Sequence, residues 1–507
     1  MAEDIGEDIA EEARRDPLVI VSNRGPVEHE RSSGKRTAER GHGGLVTALG
    51  GLASHFEGAV WICAALSDED IAVSREHDGG AFDLEGDGPA LRIRMVELDP
   101  DAQRKFYAVI ANPLLWFIQH YLWDLSDEPD ITRREHDAFD HGYAPVNARF
   151  AEAVAEEVEA LGGRATVMVQ DYHFYLVAEQ VRARCPEAFL HHFVHIPWPH
   201  PDAWRVLPPR MREAIFHGLL GNDVVAFHSQ RSARNFLLCC QELLGLRVDL
   251  DRHTVDVDDR TVATRWHPIS VNPEELEAKA ASPAVAEHER HLAEKRREHL
   301  LLRVDRADLS KNILRGFRAF DTMLDDHPEL AERVTFLALL QPTREDVEQY
   351  AVYMEKIRRL VADINLKHGT DDWQPIDLDV EGDFDQVVAA YKLFDVLVVN
   401  AVFDGMNLVA KESVLVNQRD GVLALSENTG AFEALGKFAV TLHPFDIQQQ
   451  ADALFDALTM DRQERRDRLE ACAFIVREND IAKWLREQLR DVRRFSDERV
   501  RPSSGGR

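Results

Sequence analysis

From position 404 to position 412 the chain reads Asp-Gly-Met-Asn-Leu-Val-Ala-Lys-Glu, directly after an apolar run at 396–400 and at the opening of a helical pattern. A strand end, a glycine turn and a helix N-terminus together make an anion site, because main-chain N–H groups converge there and the helix dipole favours negative charge. Gly405 has no Cβ to hold a phosphate or a sugar hydroxyl at a distance. Glu412 is expected about two helical turns further on, facing the same pocket. Asp404, Gly405, Met406, Asn407, Leu408 and Glu412 are therefore the candidate contacts to a nucleotide sugar.

A second group lies at 304–312, Val-Asp-Arg-Ala-Asp-Leu-Ser-Lys-Asn, where Arg306 and Lys311 follow a strand on a turn that can aim both cations at one point. A departing diphosphate gains negative charge as its bond to a sugar breaks, and preorganised cations stabilise that growth by several kcal/mol. Two further strands end in Gln170-Asp171-Tyr172-His173 and in Val194-His195-Ile196-Pro197. The carboxyl ends of adjacent parallel strands face the ligand crevice of an α/β sheet, which makes Asp171 and His195 candidates. Arg24, Gly43, Gly44, Trp61, Tyr107, Trp116 and Arg344 form a set of cations, aromatics and flexible glycines suited to a phosphorylated sugar, with rings against C–H faces and guanidinium forks on phosphate. There is no P-loop, HExxH, GxSxG or complete GxGxxG pattern, and no metal-ligand spacing.

These residues must be positioned by more than one core, since 507 residues exceed what a single core serves. Alternation of strands at 18–22, 60–64, 166–170, 189–194 and 224–228 with helices at 146–161 and 231–244 predicts a mainly parallel, doubly wound sheet. The pattern restarts at 300 after a charged helix at 274–299. Strands at 300–304, 334–340, 396–400, 422–426 and 439–442 follow, with helices at 313–324, 344–366 and 447–458. The expected organisation is an acidic leader without fixed structure over 1–17, an acceptor-binding Rossmann-like domain over 18–271, a nucleotide-sugar-binding one over 272–460, helices crossing back over 461–495, and a tail over 496–507.

A balance of 60 Lys+Arg against 90 Asp+Glu, formally −30, argues against nucleic acid or an anionic membrane as partner. Five cysteines, odd in number, fit a reducing cytoplasm, and no apolar run approaches the roughly 20 residues that would span a bilayer.

With these motifs the chain resembles the trehalose-6-phosphate synthases, retaining glucosyltransferases of the GT-B fold, over about 18–494. The resemblance implies two Rossmann-like domains facing an interdomain cleft and no cofactor beyond a nucleoside-diphosphate-glucose donor. It implies Arg306 and Lys311 on the diphosphate, Glu412 on the ribose, Asp404 and the following main chain on the glucose, and Gly43-Gly44 as a glycine loop over the phosphates. His195 resembles the histidine beside the donor sugar. Asp171, Arg24, Trp61, Tyr107, Trp116 and Arg344 resemble the glucose 6-phosphate pocket. A homo-oligomer is in keeping with the family, without a fixed number. The chain departs from the family at Asn312 and Ser270, where Gly is usual, at Phe403, where Arg is usual, and at Ile62-Cys63-Ala64. Relatives with the same framework make glucosylglycerol phosphate or join two cyclitols. A catalytically silent sugar-phosphate sensor is the alternative from another class.

Overall fold

The computed structural model describes residues 16–32, 35–40, 49–50, 53, 56, 58–84, 91–344 and 347–500. The chain divides into two compact units, residues 1–267 with 482–507, and residues 268–481.

The strands of the first unit are β1 Leu18–Val21, β2 Val27–Ser32, β3 Lys35–Arg40, β4 Val60–Ala64, β5 Phe82–Asp83, β6 Arg92–Val96, β7 Thr166–Gln170, β8 Phe189–Phe193, β9 Val224–Phe227, β10 Val248–Asp249, β11 Thr254–Val257 and β12 Arg260–Trp266. Ten of them form one sheet in the order β10-β11-β12-β9-β8-β7-β1-β4-β6-β5, parallel from β12 to β6 and antiparallel at both edges. The central strands are mostly apolar and buried throughout, as a sheet covered on both faces requires. β6 escapes the apolar-run criterion because arginines alternate along it. Arg94 is nonetheless buried, its guanidinium bonded to Glu157 at 3.0 Å. The β2–β3 hairpin is fastened to the helix Asp68–Glu76 by the pairs Arg31–Glu69, Arg36–Glu76 and His29–Asp70.

The C-terminal helix Ile481–Val500 belongs, from Ala482 on, to this same unit. Trp484 packs edge-on against Phe193 at 5.4 Å and donates to the His267 carbonyl at 3.1 Å, while Asp491 meets His267 Nε2 at 2.8 Å.

The second unit is built on β13 His299–Arg306, β14 Val334–Gln341, β15 Ile376–Asp379, β16 Val396–Val399, β17 Val422–Ser426 and β18 Val440–Leu442. They form a six-stranded, all-parallel sheet in the order β15-β14-β13-β16-β17-β18. Its order reverses between β13 and β16, and ligands bind outside the carboxyl ends of strands at such a reversal. The single charged helix expected over 274–299 is two, Pro273–Ala280 and Pro283–Lys295, because Ser282 caps the second through Val285 N–H and Pro283 opens it. The helix expected from 344 starts at Glu348.

Candidate functional site

At the carboxyl end of β16 the chain leaves the sheet as the turn 400–408, and its shape is imposed from behind. Val402 N–H donates to the Ser310 carbonyl at 2.8 Å, Asp404 N–H to Asn428 at 3.2 Å, Gly430 N–H to Asp404 at 3.0 Å and Ala431 N–H to Met406 at 2.9 Å. A Cβ on Gly430 would stand 2.0 Å from the Gly405 oxygen, so only glycine lets the two main chains lie this close. Asn407 adopts φ +80°, which asparagine tolerates better than most residues. Its Nδ2 donates to Asp404 Oδ2 at 3.2 Å and its Oδ1 accepts Ala410 N–H at 3.0 Å, capping the helix Val409–Val416. The helix therefore opens later than its sequence pattern suggests. Glu412 lies in its first turn rather than two turns in. The Glu412 carboxylate accepts from Tyr391 Oη at 3.0 Å, and burial raises its pKa against the effect of that bond.

β13 runs out into the single 3-10 turn Leu309–Lys311, which Asp308 caps by accepting Ser310 N–H at 2.9 Å. The Lys311 ammonium forms an ion pair with the Asp404 carboxylate across 93 positions of sequence. Arg306 is exposed at the strand end. One residue before Arg306 stands the Asp305 carboxyl group. Burial pushes its pKa up to about 6, Arg303, Lys311 and Arg306 oppose the rise, and Asp404 adds to it. Asn312 sits at φ +59°, the left-handed region in which glycine is free, and its amide donates to the Asn400 and Pro444 carbonyls at 2.9 and 2.7 Å. That departure from the family is thus accommodated by asparagine's tolerance of the conformation and by two new bonds. One residue before Glu412, Lys411 is 3% exposed, donates to the Ile269 carbonyl at 2.6 Å, and is lowered by burial to a pKa of about 7.

Arg344, expected from its position to come from the second unit, belongs to it and sits at φ +50°, its guanidinium donating to Asp308 Oδ2 and Tyr350 Oη at 2.6 Å each. In the first unit, Asp171 closes β7 at φ +70° and accepts His195 N–H at 3.2 Å. The His195 ring is spanned on both sides, Nε2 lying 2.9 Å from Gln170 Oε1 and Nδ1 3.2 Å from His228 Nε2. Burial first, then the neighbouring histidines 228, 192 and 191, hold its pKa well below the ordinary value, so the ring is neutral at pH 7. Tyr107 stacks on His173 at 6.1 Å and Trp116 on His120 at 4.1 Å. Arg24 is exposed after β1. Trp61 has no exposed surface and donates through Nε1 to Ser22 Oγ at 2.7 Å, so in this conformation it presents no ring face to a sugar. Ile62, Cys63 and Ala64 are equally interior, which makes that departure one of core packing. Gly43 and Gly44 lie outside the described residues.

Among the described residues, Asp321, Asp325 and His368 bring three ligand-type atoms together. The Lys367 ammonium already bonds both carboxylates there. Sequence reading passed over Asp305, His228, Tyr391 and the 428–431 support. Only Gly430, in a Thr-Gly-Ala turn after a strand, left a local signal.

Two α/β units of the Rossmann type, the second with a glycine turn at its sheet reversal, make up the GT-B class of glycosyltransferase. The sequence matches glycosyltransferase family 20 over residues 16–494, and the chain belongs to that family. A trehalose-6-phosphate synthase from Mycobacterium sp. (strain KMS) is 34% identical over 484 residues, covering 92% of this chain and 93% of that protein. The UDP-forming alpha,alpha-trehalose-phosphate synthase A of Dictyostelium discoideum is 30% identical over 92% of this chain. This chain spans 61% of that longer protein. Among solved structures, an alpha,alpha-trehalose-phosphate synthase from Burkholderia vietnamiensis superposes with a TM-score of 0.81 at 27% identity, covering 96% of this chain and 99% of that one. A Burkholderia xenovorans enzyme in complex with glucose-6-phosphate gives 0.79 at 27% identity, covering 94% and 100%. The E. coli protein bound with UDP-2-fluoro glucose gives 0.79 at 26% identity, covering 94% and 98%. No helix among the described residues is long and apolar enough to cross a membrane.

Proposed function

We propose that the protein transfers glucose from a nucleoside-diphosphate-glucose, UDP-glucose first among donors, to glucose 6-phosphate, with retention at the anomeric carbon, to give alpha,alpha-trehalose 6-phosphate. The observation that carries this reading is the ion pair of Lys311 with Asp404 at the glycine turn. In the free protein Asp404 neutralises the lysine. A bound diphosphate would compete for that ammonium, leaving Asp404 to accept a glucose hydroxyl. Gly405 to Leu408 would supply main-chain contacts, and Glu412, oriented by Tyr391, would take the ribose hydroxyls.

No carboxylate nucleophile enters this scheme. The sugar–phosphate bond lengthens while the acceptor hydroxyl approaches the same face, and the departing phosphate oxygen takes the acceptor proton. Both ring nitrogens of the neutral His195 face protein partners, which supports a positioning role for it over one as general base. Asp171, Arg24, Tyr107, Trp116 and Arg344 are proposed for the acceptor, Gly43 and Gly44 for the donor phosphates. The enzyme's contribution is orientation and charge stabilisation.

The test is nucleoside diphosphate release from UDP-, GDP- and ADP-glucose against glucose 6-phosphate, glycerol 3-phosphate and a cyclitol phosphate. Turnover confined to glucose 6-phosphate is expected. Lys311→Ala is expected to lose roughly 3 kcal/mol of transition-state stabilisation, about a hundredfold in rate. Near-parental turnover of that variant at saturating donor would refute the leaving-group role.

A further inference from the structure

Arg303 stands in the middle of β13 after Leu300, Leu301 and Leu302, and it is fully buried. Desolvating a guanidinium costs several kcal/mol, which core packing alone does not require. Its guanidinium bonds directly to the turn that carries Lys311. Nη1 donates to the Lys311 carbonyl at 3.0 Å and to Asp305 Oδ2 at 3.2 Å, and Nη2 donates to Asn400 Oδ1. Asn400 in turn donates from Nδ2 to Gln450 Oε1 at 2.7 Å and to the Asn312 carbonyl at 3.3 Å. Asn312 returns a bond to the Asn400 carbonyl. The main-chain carbonyls of Lys311 and Asn312 are thus held by one continuous polar network. The helix Ile313–Asp326 is seated on it so closely that a Cβ on Gly316 would come within 2.9 Å of Arg303 Nη2 and 3.2 Å of Asn400 Nδ2.

We infer that Arg303 is a positioning residue of the donor grip, a buried fork that fixes the main chain at Lys311 and so sets where the Lys311 ammonium meets the donor diphosphate. The inference rests on the reading of Lys311 as a diphosphate ligand. A planar guanidinium reaches the Lys311 carbonyl, Asp305 and Asn400 at once, from two nitrogens. A lysine ammonium is a single point at the end of a flexible stem and cannot span the same three oxygens. The charge matters as well as the shape, because Arg303 is the first of the cations that offset the Asp305 carboxylate beneath the site.

The experiment compares the full-length parent, R303Q, R303K and K311A by calorimetric titration with UDP and by steady-state kinetics, with circular dichroism to establish folding. R303Q is expected to weaken UDP binding and raise donor KM by roughly tenfold, with the KM for glucose 6-phosphate within about twofold of the parent. R303K should fall between the two. A role confined to the core would lower thermal stability without this donor-specific split. Folded R303Q that binds UDP within about twofold of the parent would overturn the inference. Should R303Q fail to fold, R303K, which keeps the charge without the fork, carries the test, and parental UDP affinity in folded R303K would overturn the inference equally. K311A separates the two levels. Parental UDP binding in K311A removes the donor-grip reading itself, whereas loss in K311A alone removes only the role of Arg303.

Discussion

Replacing Lys411 by methionine is expected to change stability with opposite signs at low and high pH. The ammonium is 3% exposed, and burial lowers its pKa from 10.5 to about 7. At about 1.4 kcal/mol per pH unit, desolvation costs the charged form roughly 5 kcal/mol. Its bond to the Ile269 carbonyl, about 1.5–3 kcal/mol for a charged donor, offsets part of this and leaves a net cost of about 2–3 kcal/mol. Because the folded value lies below the unfolded one, the cost is carried in full below about pH 7. It is relieved as pH rises toward about 10.5, where the unfolded chain binds the extra proton. Lys411→Met removes the charge, so at about pH 6 the variant should be more stable by about 2 kcal/mol. At about pH 10 the parent's neutral amine still serves the Ile269 carbonyl and the variant leaves it unpaired, a loss of about 1–3 kcal/mol. Scanning calorimetry reads this as a difference in the second unit's melting temperature that changes sign, at about 2–4 °C per kcal/mol. Parent and variant profiles that run parallel from about pH 6 to about pH 10 would refute the reasoning.

Gly430→Ala should push the Gly405 main chain out of place, raising donor KM roughly tenfold while leaving acceptor KM unchanged in steady-state assays. Tyr391→Phe removes the hydroxyl that orients Glu412, and a several-fold rise in donor KM with kcat nearly unchanged is expected. Burial opposes charge on His267, but its bonds to Asp491 and Glu487 outweigh that and raise its pKa. Its stabilising contribution is therefore whole below the ordinary 6.5 and disappears as pH rises through the raised folded value. Asp491→Asn should cost about 1–2 kcal/mol at about pH 6 and progressively less above, measured by denaturant titration across pH.

The strands at 60–64, 166–170 and 422–426 were legible to the residue because each has an apolar centre and is buried along its whole length. β6 and the β2–β3 hairpin carry charge along their length. Arg94 and the Arg31 and Arg36 pairs become intelligible only once Glu157, Glu69 and Glu76 stand opposite them. The glycine turn was visible from Gly405, yet the late start of its helix depends on Asn407 capping Ala410 and on main-chain bonds from 428–431. The meeting of Lys311 with Asp404 follows from strand order, whereas Arg303, Asn400 and Gln450 are joined only by tertiary contact. Nothing in their local spacing announces one another. The break at Ser282-Pro283 was available locally, since a capping serine before proline is itself a helix start.

The return of the last helix to the first sheet bears on how the chain is made. Trp484 and Asp491 complete the packing around Phe193 and His267, so the first unit cannot finish folding on the ribosome until residues 484–491 have emerged. The second half, whose segments are all synthesised before that helix, is free to mature first. During synthesis the first sheet would wait with its Phe193 flank uncovered, and a truncation short of Trp484 would damage the half of the molecule farthest from the cut in sequence.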